Sequence, residues 1–217
     1  TMEPLKAVAL YYDFRELTPL GNDGDTMVRR LADRMVSVDL LDRAAGLLEH
    51  QIKYRLEGVA QASVAAKLAA ILIQDLRAED AIDIIRATRN VVDMPPDLRQ
   101  ERLRLEARAL IDMARYDEAE AVLEDDRSQE AELLRADLYW GSKRWAEIVE
   151  NSTILLGDRW RDSRALDVDE QRQLLRTAVA LTMLEREEDL DVINRRFGLA
   201  MQAGPYGNAF GVITGSG

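Results

Sequence analysis

Apolar residues in this chain recur at intervals of three and four, the spacing that lines one face of an α-helix. Val64, Leu68, Ile71 and Leu72 form one such stripe, and Ala81, Ile82, Ile84 and Ile85 form the next. The strict alternation that would signal strands is nearly absent, so the expected fold class is all-α. Breakers separate the stripes. Gly21-Asn22-Asp23-Gly24-Asp25 precedes a helix expected to begin near Thr26, and Met94-Pro95-Pro96-Asp97 precedes another, with Asp97 as its expected N-cap.

A longer period overlies the helical one. The small or apolar position that opens the second helix of a pair recurs at Ala44, Ala81, Ala119 and Ile148, spaced 37, 38 and 29 residues apart, and a poorer fifth unit centres on Leu190. These spacings scatter around the ~34 residues of one helix-turn-helix repeat class. The clearest unit runs from residue 107 to 120: Ala107 lets a second helix approach, Leu110 fills the space between, and Tyr116 ahead of Asp117-Glu118-Ala119 marks the tight turn.

On these residues the chain resembles the tetratricopeptide repeat family over residues 25 to 200. The paired positions of each first helix are matched by Leu31-Ala32, Leu68-Ala69, Glu106-Ala107 and Arg135-Ala136, and the later bulky position by Met35, Leu72, Leu110 and Tyr139. Glu106 and Arg135 stand where the family usually carries Leu, and its repeat-ending proline appears only as Pro95-Pro96. A looser α-solenoid of another family is the alternative. The resemblance implies a right-handed α-α superhelix of about five helical hairpins over residues 25–203. Residues 1–24 then form an N-terminal helix and loop, half of a truncated repeat, and residues 204–217 a Gly-rich C-terminal tail. That tail reads as flexible; the alternative is a cap in which Tyr206, Phe210, Val212 and Ile213 dock on the last repeat.

Composition agrees with the periodicity. A chain of 217 residues with 47% hydrophobic and 32% charged residues, only 12 Gly and 5 Pro, is expected to be folded and helix-rich, and no linker composition divides it. The net charge of −11 repels phosphate backbones, so nucleic acid is not an expected partner. Arg outnumbers Lys 25 to 4, which reads as genomic base composition and not as phosphate recognition, and the expected setting is a larger bacterial protein. No run approaches the ~18 apolar residues of a membrane span. The absence of cysteine excludes disulfides and thiolate chemistry, and the expected compartment is the cytoplasm. Thr1 ahead of Met2 suggests a piece of a longer protein.

Candidate chemistry is sparse. His50 is the sole histidine and has no recognisable nucleophile partner, Asp125-Asp126 and Glu187-Glu188-Asp189 read as helix-end carboxylates, and Asn22-Asp23-Gly24-Asp25 lacks the ligand spacing of a calcium loop. No catalytic residue, metal or cofactor is expected, and the chain is expected not to be an enzyme. The repeat resemblance implies a concave groove lined by first helices, with Arg29, Asp33, Arg104, Arg108, Ile111, Asp137 and Trp140 as its candidate contacts. Arg104 and Arg108 are i, i+4 neighbours in a crowd that includes Arg99 and Arg102. In family members that clamp a peptide's C-terminal carboxylate, bases at such places in a third repeat hold the anion. The competing reading is a solvated face on which the pair meets Glu101 and Asp112. Trp140 reads either as an anchor or as packing between repeats. The expected function is non-catalytic binding of a partner peptide or helix in the groove. The alternatives are a self-associating spacer, including a homodimer, and a helical-repeat enzyme or regulatory subunit.

Overall fold

The computed structural model describes residues 21–215 together with Lys6, Ala9 and Tyr11. Those three are helical, and the rest of the N-terminal helix expected over residues 1–24 lies outside the described residues up to Gly21. Among the described residues there are eleven α-helices and no strand. In order they are α1 (Asn22–Val36), α2 (Leu41–Tyr54), α3 (Gly58–Gln74), α4 (Ala78–Ala87), α5 (Pro96–Asp112), α6 (Tyr116–Leu123), α7 (Gln129–Gly141), α8 (Trp145–Leu156), α9 (Val168–Met183), α10 (Glu187–Gln202) and α11 (Gly207–Ile213). The chain forms two compact units, residues 1–122 and 123–217, and no change of composition marks the boundary, which falls inside α6.

One turn is used five times. Asp39, Leu76, Ala114, Lys143 and Glu185, each just past the end of an odd-numbered helix, have φ between 56 and 61°. The following residue's N–H reaches back to a carbonyl five positions earlier: Leu40 to Met35, Arg77 to Leu72, Arg115 to Leu110, Arg144 to Tyr139 and Arg186 to Leu181, at 2.8–2.9 Å. That is the Schellman closure, which satisfies carbonyls a helix end would otherwise leave bare. Five residues after each left-handed residue stand Ala44, Ala81, Ala119, Ile148 and Leu190, the positions that carried the sequence period. The odd and even helices are thereby joined as five hairpins, α1-α2 through α9-α10.

Each hairpin is built from the expected stripes. On α1, Val28, Leu31, Ala32 and Met35 are buried, and on α3 so are Val64, Leu68, Ile71 and Leu72. In the first unit, α1 packs on α2, α2 on α3, α3 on α4, and α5 on both α3 and α4. In the second, α7 packs on α8, α8 on α9, and α9 on α10.

Three local expectations are corrected. The first helix begins at Asn22 and not near Thr26, because Asp23 and Asp25 sit in its first turn, where carboxylates meet the positive end of the helix dipole. Asp25 is buried there, and its Oδ1 accepts from Arg55 Nε at 2.8 Å. The N-cap of α5 is Pro95, with Pro96 fixing φ at the first helical position, so Asp97 lies within the first turn. The Gly-rich tail is structured: α11 packs on α9 and α10, and Phe210, 1% exposed, joins Leu174, Ala178, Phe197 and Met201 in the core of the second unit. Glycine is what permits the docking. A Cβ on Gly207 would stand 2.4 Å from the Met201 carbonyl oxygen, a backbone atom that cannot swing aside.

Candidate functional site

The seven residues singled out for a groove divide between the two units. In the first, Arg29 donates to Thr26 Oγ1 at 3.2 Å, and Asp33 on α1 pairs with Lys67 on α3. Arg104 and Arg108 lie half-buried on α5, each engaged with a partner, and Ile111 is buried in the core of its hairpin. In the second unit, Asp137 accepts from Arg176 Nη1 at 2.8 Å, and that guanidinium lies 5.3 Å from the centre of the Trp140 ring. The ring also meets Trp145 edge-on at 6.0 Å. Trp140 thus lies half-buried among side chains of α7, α8 and α9. His50 is exposed, its ring tilted against Tyr54 at 4.9 Å.

Two arginines have roles that the residue pattern concealed. Arg102 is only 4% exposed, and its Nη1 donates to the Ala62 carbonyl at 2.6 Å while Nη2 donates to the Ile85 carbonyl and Thr88 Oγ1 at 2.8 and 2.9 Å. It therefore closes the C-terminus of α4 from α5 and ties both to α3. Burial pulls its guanidinium below the usual arginine range, against the opposing charge of Glu106. In the second unit, Arg135 on α7 likewise donates to backbone carbonyls, those of Leu123 and Asp126, and its Nη1 donates to Glu132 Oε1 at 2.6 Å. Asn151 Nδ2 completes that buried network on Glu132 Oε2 at 2.8 Å. Gln61 makes a neutral version, donating from α3 to the Ile52 carbonyl near the end of α2 at 3.0 Å. The available signal was Arg102 lying seven residues before buried Ala109, on the inward face of α5.

The open cleft that α2, α3 and α4 form in the first unit has a volume of about 290 Å³. Ile84 and Ala87 give it its accessible apolar surface over the buried Leu68 and Leu72, and Glu49, Asp80 and Asp83 give it carboxylates. Arg77, at the hairpin turn, is the lining cation. Its Nε donates to Asp80 at 2.7 Å, and its Nη atoms lie 3.4 Å from Asp42, 3.8 Å from Glu49 and 4.0 Å from Asp75. The hydrogen bond to Asp80 is the largest effect and raises its pKa; burial, the next largest, opposes it, and the charges of Asp80, Glu49 and Asp42 add to the rise. None of the groove candidates lines this cleft.

Among the described residues no group of three or more His, Cys, Asp or Glu side chains could hold a metal ion, and no helix is long and apolar enough to cross a membrane. No protein-family model, curated protein or solved structure matches the chain.

Proposed function

We propose that the chain is a non-catalytic interaction module of the tetratricopeptide kind, a helical-repeat scaffold that holds a partner peptide or helix. The observation that supports this reading is the turn used five times, Asp39 through Glu185, with the same left-handed residue and the same backbone closure. The shared turn gives the hairpins one local design. Helical-repeat modules built from such hairpins bind extended ligands along their side-chain surfaces. On this reading the partner is a protein, the compartment is the cytoplasm, and Arg104 and Arg108 on α5 are the first contacts to test.

A second reading, self-association, is favoured by the exposed apolar side chains Leu199 on α10 and Val212 on α11. One experiment separates the two. Capture from a lysate of the source organism is run with the wild-type chain and with Arg104→Glu/Arg108→Glu, while light scattering reports the mass in solution. A partner held by the wild type and lost by the folded variant supports the module. A stable dimer that captures nothing supports self-association.

A further inference from the structure

We infer that a second copy of this chain docks on the outward face of α10, the two helices lying antiparallel about a two-fold axis between residues 193 and 194. The inference rests on the self-association reading and names its surface and its contacts. None of the groove candidates lies on α10, so the pairing leaves them unused.

Helical geometry sets the face. At about 100° per residue, Glu188, Asp191, Val192, Arg195 and Leu199 fall within about 100° of arc, on the side opposite buried Phe197 and Met201. Acids begin this stripe, a base follows, and Leu199, 85% exposed, ends it. The helix dipole accounts for Glu188 in the first turn, but Asp191 lies beyond that turn. Asp191 and Arg195 are four residues apart, the spacing of a helical ion pair, yet both are exposed and neither forms an ion pair among the described residues. Arg196 is exposed too, its guanidinium held 5.0 Å from the centre of the Trp160 ring, which Arg161 meets at 4.9 Å. Arg161 has Asp158 at 3.5 Å, whereas no carboxylate among the described residues pairs with Arg196.

Charge complementarity names the occupant. A face with an acidic start and a basic middle complements a copy of itself that runs the other way, and a two-fold axis makes every such contact twice. With the axis between residues 193 and 194, Asp191 of each copy lies level with Arg196 of the other, already positioned by its stack on Trp160. Glu188 lies level with Leu199, so its stem covers the exposed leucine while its carboxylate reaches Arg195, one turn away. The net charge of −11 on each copy opposes association and one helix face is a small interface, so the dimer is expected to be weak.

Sedimentation equilibrium of the whole chain from about 1 μM to about 1 mM, the span from moderate to weak contacts, is the test. The wild type is expected to pass from monomer to dimer across it. Asp191→Arg and Arg196→Asp each set two like-charge pairs into the contact and should each weaken the dimer about tenfold. Mixing the two variants should restore it, because in the mixed dimer both 191–196 contacts join opposite charges again. Leu199→Asp, which brings a carboxylate against Glu188, should also weaken the dimer. Circular dichroism confirms that each variant keeps its helices. A dimer that neither charge variant weakens, or a mixture as weak as each variant alone, overturns the α10 contact and leaves self-association standing. A wild type that stays monomeric throughout overturns self-association itself, and the contact with it.

Discussion

A side chain other than glycine in the left-handed region costs about 1–2 kcal/mol, because its Cβ crowds the following carbonyl. The chain accepts that cost at all five hairpin turns, with Asp39, Leu76, Ala114, Lys143 and Glu185. Glycine would remove the clash while adding freedom to the unfolded chain, which offsets about half the gain. Lys143 is exposed, so its side chain gives up no buried contact. Lys143→Gly is therefore expected to stabilise the chain by up to about 1 kcal/mol, seen as a higher urea midpoint at unchanged slope. The same replacement at exposed Glu150, inside α8, should cost about 0.5–1 kcal/mol, and the opposite signs identify backbone conformation as the cause.

At the scale of helices, what distinguishes this molecule is how buried side chains grip backbone carbonyls of the preceding segment within each unit. Glu132 is buried between Arg135 and Asn151, and it balances a guanidinium whose other donors are spent on backbone carbonyls. Glu132→Ala would leave that charge buried and uncompensated, at a cost of about 3–5 kcal/mol. Glu118→Ala breaks a pair with Arg115 of the same 2.6 Å length but exposed to water, and should leave the denaturation midpoint where it is. Chemical denaturation of the two variants side by side checks both. These grips were the part of the fold least visible beforehand. Arg102 stood among Arg99, Arg104 and Arg108 and read as one more surface base. Nothing in residue type shows that a long stem can cross a core and deliver its charge to carbonyls at another helix's end.

For the molecule as a whole, the hairpins were legible because each turn is followed five residues later by a small or apolar side chain, from Ala44 to Leu190, which a helix approaching its partner requires. The candidate site was much less so. The groove residues were chosen by register on first helices, and register alone does not report which of them a neighbouring helix engages, as Lys67 on α3 engages Asp33 and Arg176 on α9 engages Asp137. For the C-terminal segment the flexible reading fails and the cap reading holds, for a related reason: glycine lowers helix propensity, but Gly207 serves a close approach that only packing reveals. Phe210 is the side chain that approach delivers, nearly fully buried against Leu174, Ala178, Phe197 and Met201. If α11 belongs to the second unit's core, Phe210→Ala should cost about 3–5 kcal/mol, the toll of emptying an aromatic site in a packed interior. Gly207→Ala should produce a loss of similar sign without removing any apolar atom, since its methyl group would strike the Met201 carbonyl. A flexible tail would tolerate both, so an unchanged urea midpoint for the pair would refute the docked helix. A fall in both, measured on the whole chain, makes residues 207–213 the wall that closes the core of the second unit.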